Sequence, residues 1–132
     1  MMEIVTRILV DLGERCDMRK ETGFNEIIRK VRKELFGKGP ERIHTTFVDN
    51  MAITMLYGNL TPSEKFLAQE DAGREMVHAA RTKMVQKIYP AQFNKELEDY
   101  MDSRLLHLFS DIKVEEDIAI SVFVFEDNIA VK

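Results

Sequence analysis

The chain contains 132 residues, of which 45% are hydrophobic and 32% are charged, and its formal net charge is −4. This length fits one domain of about 100–150 residues, and the composition excludes a disordered, collagen-like or coiled-coil chain. The single cysteine, Cys16, excludes an internal disulfide and a cysteine-based structural zinc site. The acidic balance gives no general attraction to nucleic acid, and no apolar run approaches the roughly 20 residues that span a bilayer. Charged side chains at Glu3, Arg7 and Asp11 are untypical of a signal peptide, so we expect a cytoplasmic protein.

The N-terminal segment combines a short amphipathic pattern with a polar stretch. Apolar residues recur at helical spacing within residues 2–12, which predicts a short helix that ends near Gly13. Residues 15–23 are polar and show no periodicity, which predicts a linker. We therefore expect residues 1–23 to form an appendage and residues 24–132 to form a single α+β domain.

A second helix is predicted directly after this linker. Asn25 is a suitable N-cap, and apolar residues around it recur at spacings of three and four. Gly37 is typical of the residue that ends a helix in the left-handed conformation, and Pro40 prevents its continuation. The predicted apolar stripe consists of Phe24, Ile27, Ile28, Val31, Leu35 and Phe36.

Two segments of alternating residues predict an antiparallel hairpin. In the first segment, Ile43, Thr45 and Phe47 alternate with more polar residues. Asp49 and Asn50 lie between the segments, and both residue types tolerate the positive φ that a tight turn requires. The second segment alternates Met51, Ile53, Met55 and Tyr57 with Ala52, Thr54 and Leu56.

Helices are predicted to follow the hairpin. Thr61 can cap the first of them, Pro62 suits its first position, and Glu64 can reach back to the Thr61 amide. Apolar residues then support a long helix in which Gly73 marks a possible break, and Pro90 is predicted to end it. The next helix carries the stripe Phe93, Leu97, Tyr100 and Met101.

Two strands are predicted to close the chain, at residues 105–112 and 118–125, with a charged turn between them. The last strand is apolar on both faces, because Phe123 and Phe125 alternate with other apolar residues. Helices on one side leave the other side uncovered, so we expect a homodimer with Phe123 and Phe125 as interface candidates. The order of elements predicts an α+β fold of two layers: a four-stranded antiparallel sheet, built from two hairpins, with helices packed on one face.

A basic stretch lies at the end of the second predicted helix. Arg29, Lys33, Lys38 and Arg42 are its candidate residues for binding an anion or small ligand. No aromatic side chains interleave with these cations to stack on bases, so nucleic acid is not an expected partner. The nearby glycines follow a helix, whereas a phosphate loop precedes one, so they indicate helix termination. A solvated helix face is the simpler interpretation of the stretch.

Residues with catalytic or metal-binding chemistry form no recognisable motif. His44, His78 and His107 cannot be placed together from the sequence, and none has a second ligand at a metal-site spacing, so their roles stay open. Acidic residues occur as neighbours in the chain rather than as a convergent pair. We therefore expect no catalytic residue, no metal, no cofactor and no enzymatic activity.

Two segments together resemble a known family. Glu-Leu-Phe-Gly-Lys-Gly-Pro-Glu at residues 34–41 is similar to the helix end and turn of small bacterial MpsC-like (YbcI-like) domains. Leu-Thr-Pro-Ser-Glu-Lys at residues 60–65 is similar to their helix start, and Arg81 and the apolar residues 122–125 fit the same pattern. The resemblance covers about residues 24–128. Its motif residues are Gly37, Lys38, Gly39, Pro40, Thr61, Pro62 and Glu64.

The resemblance implies an association with a sodium-translocating system that generates membrane potential, whose membrane components are similar to cation or inorganic-carbon importers. It supplies no catalytic residues. We therefore predict a non-catalytic accessory or regulatory module that forms a homodimer and serves membrane transporter components. The alternative is a sensor domain for a small ligand or an anion, which uses the basic stretch from Arg29 to Arg42.

Overall fold

A computed structural model gives the backbone of residues 2–92 and 94–131 and the side chains of residues 19–87 and 94–131. The sheet contains four strands in the order β1-β2-β4-β3, and every neighbouring pair is antiparallel. The predicted two-layer α+β fold is therefore confirmed, and its two hairpins join through their second strands. The elements are α1 (Met2–Phe36), β1 (Arg42–Val48), β2 (Met51–Tyr57), α2 (Pro62–Leu67), α3 (Asp71–Gln92), α4 (Asn94–Met101), β3 (Leu105–Lys113), a 3-10 turn (Val114–Glu116) and β4 (Ile118–Phe125).

Helix α1 is one continuous helix of 35 residues, about 52 Å long at 1.5 Å per residue. The prediction of a short helix followed by a linker at residues 15–23 is therefore wrong, and Asn25 lies inside the helix rather than at its N-cap. Most residues of that stretch are tolerated in helices, and tertiary contacts supply the stabilisation that periodicity did not reveal. The apolar stripe predicted in residues 2–12 lies outside the described side chains.

The division of the chain at residue 23 stays a prediction, but contacts cross it. The Tyr100 hydroxyl of α4 donates a hydrogen bond of 3.0 Å to the Lys20 carbonyl oxygen. A side chain at Gly23 would overlap that tyrosine, so the glycine lets α4 pack closely against α1. The turn of α1 that contains Lys20 and Gly23 is thus held against the rest of the domain.

The helices after the first hairpin begin and break where predicted, but α3 ends later than predicted. Helix α2 ends at Leu67 and α3 begins at Asp71, so the break falls just before Gly73. A Cβ on Gly73 would overlap the Leu67 carbonyl oxygen, which explains glycine in the first turn of α3. Helix α3 continues through Pro90 to Gln92, so the prediction that Pro90 ends it is wrong.

The hydrophobic core lies between the helices and one face of the sheet. Phe24 of α1 packs edge-to-face on Phe47 of β1 and Phe123 of β4, with ring centroids 5.5 and 5.4 Å apart. Leu97 and Met101 of the predicted α4 stripe are buried in the same core, whereas Tyr100 is 41% exposed. Phe93, the fourth residue of that stripe, lies outside the described residues.

Both interface candidates on β4 belong to this core. Phe123 and Phe125 are 1% and 0% exposed within the single chain, so the prediction that they contact a second copy is wrong. Small residues explain the choice of face, because Ala119 and Ser121 on the same side let a helix approach the sheet. The opposite residues of β4 face away from the helices.

A row of hydroxyl groups crosses the buried face of the sheet at facing positions on all four strands. The two hydroxyl pairs within the hairpins are each 2.9 Å apart. Two side chains of α1 bind the row. The Asn25 side-chain oxygen accepts a hydrogen bond from the Thr45 hydroxyl at 2.6 Å, and the Arg32 guanidinium donates one to the Ser121 hydroxyl at 3.0 Å. The row therefore joins helix and sheet through buried hydrogen bonds. Its members are Thr45, Thr54, Ser121 and Ser110.

Candidate functional site

The sheet face that points away from the helices carries an apolar stripe. The two central strands contribute every second residue, and all eight of these side chains are apolar or aromatic. Strand pairing sets them side by side, for example Ile53 beside Val122 and Met55 beside Ile120. The stripe consists of Met51, Ile53, Met55, Tyr57, Ile118, Ile120, Val122 and Val124; with the outward residues of β1 and β3 we call this surface the docking face.

Mainly polar residues border the stripe along both edge strands. The outward residues of β1 are Arg42, His44, Thr46 and Val48, and those of β3 are His107, Phe109, Asp111 and Lys113. Ile120 in the centre is 38% exposed, and Phe109 at the border is 61% exposed. An apolar centre with a polar rim is the usual composition of a protein–protein interface. Met51 and Met55 are half-buried members of this stripe.

An open groove of about 750 Å³ continues one end of the docking face towards α3. Met55, Ile118 and Ile120 form its apolar part, and charged side chains of α3 and β3 form its walls. His78 of α3 contacts Asp111 of β3, with Nε2 and Oδ1 2.8 Å apart. This ion pair or hydrogen bond links α3 to the edge strand β3 at one side of the groove.

Asp111 is the titratable group that this contact perturbs. The hydrogen bond from His78, together with one from the Ile112 amide at 2.9 Å, lowers the pKa of the Asp111 carboxyl. A lowered pKa keeps the group ionised, which suits anchoring rather than proton transfer near neutral pH.

The motif residues of the second segment build a buried ion pair. Thr61 caps α2 by accepting from the Glu64 amide at 3.2 Å, and the Glu64 carboxylate accepts from the Thr61 amide at 2.9 Å. This capping box, with Pro62 at the start of α2, is confirmed. Arg81 of α3 then donates two hydrogen bonds to Glu64, at 2.6 and 2.7 Å, and a third to the Asn59 carbonyl oxygen at 2.9 Å.

The same ion pair is stacked and largely shielded from water. The Arg81 side chain is 4% exposed, and its guanidinium lies 4.1 Å from the ring centroid of Phe36. Burial raises the pKa of Glu64, but the hydrogen bonds from Arg81 and Thr61 outweigh that effect and leave the pKa below its ordinary value of 4.5. The family motif therefore connects the end of α1, the start of α2 and the middle of α3.

The motif residues of the first segment form the turn between α1 and β1. Gly37 has φ +82°, and its amide donates to the Lys33 carbonyl oxygen at 2.9 Å, as in a left-handed helix cap. Lys38 donates to the Gly58 carbonyl oxygen at 2.5 Å, and Pro40 is buried. Gly39 lies against the side chain of Arg29. The prediction of helix termination here is confirmed.

The four candidate anion-binding residues do not form one site. Arg29 and Lys33 lie along the outward side of α1, where Glu26 and Glu34 share the same shallow surface. Lys38 is directed to a backbone carbonyl, and the Arg42 guanidinium stacks 4.3 Å from the ring centroid of Tyr57 on the docking face. Anion binding by this set stays a prediction.

The histidines also lie apart. His44 Nδ1 contacts Glu21 Oε1 of α1 at 3.1 Å, whereas His107 lies 5.9 Å, between ring centroids, from Phe109 on the opposite edge. Across the described side chains, no group of three His, Cys, Asp or Glu could hold a metal ion. In the same part of the chain, no helix is both long and apolar enough to cross a bilayer.

The docking face was not predicted from the sequence. The prediction placed the interface on the face of β4 that carries Phe123 and Phe125, whereas the docking face is the opposite one. The signal was present in the small residues. Ala52 and Thr54 in β2 face Ser121 and Phe123 in β4, so the narrow side chains mark the face on which α1 packs. The alternate residues of both strands, such as Ile53 and Ile120, then point outward.

The chain is similar to one described family and to one protein of Bacillus subtilis (strain 168). A family model described as "Na+-translocating membrane potential-generating system (MpsC)" matches residues 17–127. The chain is 63% identical over 106 residues to the uncharacterized protein YrhF of Bacillus subtilis (strain 168), a match that covers 80% of this chain and 87% of that protein. No solved structure matches the chain.

Proposed function

The chain belongs to the MpsC family, and from this membership and the docking face we propose that it is a non-catalytic accessory module of a sodium-translocating system that generates membrane potential. It acts from the cytoplasm by binding other polypeptides, either to assemble or to regulate the system. The family description supports the link to sodium translocation, and the docking face supports a role in binding.

The observation that carries the proposal is the apolar stripe. Eight apolar side chains in two adjacent strands form one surface on the side of the sheet opposite the helices. Monomeric proteins seldom expose apolar patches of more than a few hundred Å², and larger ones mark sites of interaction. The ion pairs described above hold elements of the domain together, and we therefore assign binding to the docking face.

Sodium-dependent membrane potential in a deletion strain tests this function. A potentiometric dye measures the potential at several sodium concentrations, with wild-type protein or Ile53→Asp or Ile120→Asp protein expressed from a plasmid. We expect wild type to restore the sodium-dependent potential and both docking-face variants to lose most of that restoration, because a buried aspartate is costly at an apolar interface.

Met76→Asp is the matched control, since Met76 lies on α3 and is 62% exposed. Its expected behaviour is that of wild type, with equal protein levels checked by immunoblot. Full restoration by both docking-face variants contradicts a binding role for this surface. An unchanged sodium dependence in the deletion strain contradicts the link to sodium translocation.

The alternative function, an anion sensor, has weaker support because Lys38 and Arg42 are each engaged elsewhere in the fold. Thermal unfolding with phosphate, citrate and nucleotides tests it. Ligand at 100 times its dissociation constant raises stability by about 2.7 kcal/mol. A rise in melting temperature that is lost in the Lys33→Ala, Lys38→Ala double variant favours the sensor.

A further inference from the structure

We propose that the docking face is occupied by a second copy of this chain, bound sheet to sheet about a two-fold axis. This inference rests on the proposed function, because it names the polypeptide that covers the same surface. It replaces the predicted contact through Phe123 and Phe125, which are core residues, with a contact through the opposite face of β4.

The edge of β1 is closed to another strand. The Thr45 amide on that edge donates to Glu21 Oε1 at 2.7 Å, and the Ile43 carbonyl oxygen accepts from Asn25 at 3.4 Å. Both partners are side chains of α1. Because these backbone groups already have partners, a second copy cannot readily extend the sheet by pairing with β1.

The edge of β3 is occupied at its two ends in a similar way. The Leu105 amide donates to Glu98 Oε2 of α4 at 2.8 Å, and the Ile112 amide donates to Asp111 Oδ1 at 2.9 Å. Carboxylates thus occupy donors at both ends of this strand. Association through the flat face is therefore favoured over edge-to-edge association.

The shape of the docking face suits a copy of itself. The apolar stripe runs along the two central strands, and the polar residues lie along both edge strands. A two-fold axis can run parallel to the strands in the plane of the interface, above the line between β2 and β4. Such an axis places the apolar stripe of one copy on the stripe of the other, and the polar rims on each other. Such an isologous contact needs no further surface, and stacked sheets with interdigitating side chains are a common arrangement.

The size of the docking face is close to that of a specific dimer interface. Four strands about 4.8 Å apart, with seven residues rising about 3.4 Å each, give a flat footprint of roughly 450 Å² per copy. Two such footprints, increased by the relief of the side chains, approach the roughly 1,000 Å² that a specific interface needs. A single helix laid along the stripe would leave much of this width uncovered.

Light scattering after gel filtration of the full chain tests the inference. At the highest concentrations we expect twice the 15.4 kDa mass of one chain. Ile53→Asp and Ile120→Asp should both elute at 15.4 kDa, because each places a charge at the centre of the contact. Met76→Asp, the matched control on α3, should retain the doubled mass.

A second variant covers the case in which aspartate prevents folding, which circular dichroism reports. Ile120→Thr keeps a β-branched side chain suited to a strand, and we expect sedimentation to give a dissociation constant at least tenfold higher than that of wild type. A wild-type mass of 15.4 kDa at every concentration overturns the inference, and so does an Ile53→Asp protein that folds and still forms the dimer.

The two proposals fail in different experiments. In one outcome, the wild-type protein is a monomer and the docking-face variants do not restore membrane potential. The binding function is then retained, and the partner is a different polypeptide. In the opposite outcome, the wild-type protein is a dimer, and variants that break the dimer still restore membrane potential. The sheet-to-sheet dimer is then retained, and the proposed function of the docking face is contradicted.

Discussion

Arg81 shows how much one side chain can connect. Its guanidinium binds the carboxylate that caps α2, the Asn59 carbonyl oxygen in the preceding loop and the face of Phe36 at the end of α1. A bidentate arginine–carboxylate pair fixes direction as well as charge, so a lysine cannot replace it without loss. Arg81 is therefore a structural residue of the family motif.

Replacing Arg81 by lysine should reduce the free energy of unfolding by about 2 kcal/mol, because one charged hydrogen bond and the stacking on Phe36 are lost. Urea unfolding measures the change. Arg29→Lys is the control, since Arg29 lies 4.0 Å from Glu26 on the surface and should change stability by less than about 0.5 kcal/mol. Equal losses in both variants would show that Arg81 acts as a simple charge.

The pKa of Glu64 makes stability depend on acid. This pKa is lower in the folded chain than its ordinary value of 4.5, so the unfolded chain binds more protons in acid. The resulting contribution is fully present above pH 4.5 and is lost as the pH falls through the folded pKa. Thermal unfolding between pH 6 and pH 3 should show a smaller acid-induced loss in Glu64→Gln than in wild type, and parallel curves would contradict the assignment.

At the level of the elements, the meeting of α2 and α3 depends on a missing side chain. Gly73→Ala should lower the free energy of unfolding by about 2 kcal/mol, although the same change in an ordinary helix raises it by about 1 kcal/mol. The added Cβ meets the Leu67 carbonyl oxygen, which is backbone and cannot rotate away. Urea unfolding measures the sign.

Gly37→Ala separates this steric effect from backbone strain. Gly37 has φ +82° and open space around it, so alanine there should cost about 1 kcal/mol through conformation alone. A Gly73→Ala protein as stable as wild type would mean that α2 shifts freely relative to α3.

Local chemistry explains which elements the sequence could predict. The Thr61 capping box, the helix end at Gly37 and the turn at Asp49, with φ +54°, need only neighbouring residues, and all three are confirmed. The strand order and the buried face of β4 depend on contacts between distant residues. Periodicity could not choose between two apolar faces, because only the approach of α1 makes Ala119 and Ser121 inward residues.

The candidate site was predictable in kind but not in position. Apolar residues on both faces of β4 correctly indicated a surface beyond the helices. The side assigned to that surface was wrong, because large aromatic rings fill a core as readily as an interface. The continuous α1 was likewise missed, since the contacts of Glu21 with Thr45 and of Lys20 with Ile129 leave no local pattern.

On the scale of the whole molecule, the C-terminal segment ties both ends of the domain together. Lys20 of α1 binds the Ile129 carbonyl oxygen, and the Ile129 and Ala130 amides donate to the Asp49 carbonyl oxygen at 2.8 and 3.0 Å. Ile129 is fully buried, two residues beyond the segment that matches the family. The core of this chain thus includes residues outside the family pattern.

Ile129→Ala should reduce the free energy of unfolding by about 3 kcal/mol, since it leaves a cavity where α1, the hairpin turn and the C-terminus meet. Val131→Ala is the matched control, because Val131 is 84% exposed and should change stability by less than about 0.5 kcal/mol. Urea unfolding compares them, and indistinguishable midpoints would mean that the tail does not contribute to the core.

The hydroxyl row that crosses the sheet has a consequence for folding. Apolar alternation penalises a strand that pairs one residue out of place, because its faces are exchanged, but it tolerates an error of two residues. Such an error would set Thr45 or Ser121 against a hydrocarbon side chain, at a cost of about 1–3 kcal/mol for each buried hydroxyl without a partner. The row therefore destabilises the misaligned sheets that apolar alternation alone would permit, and it favours a single strand register during folding.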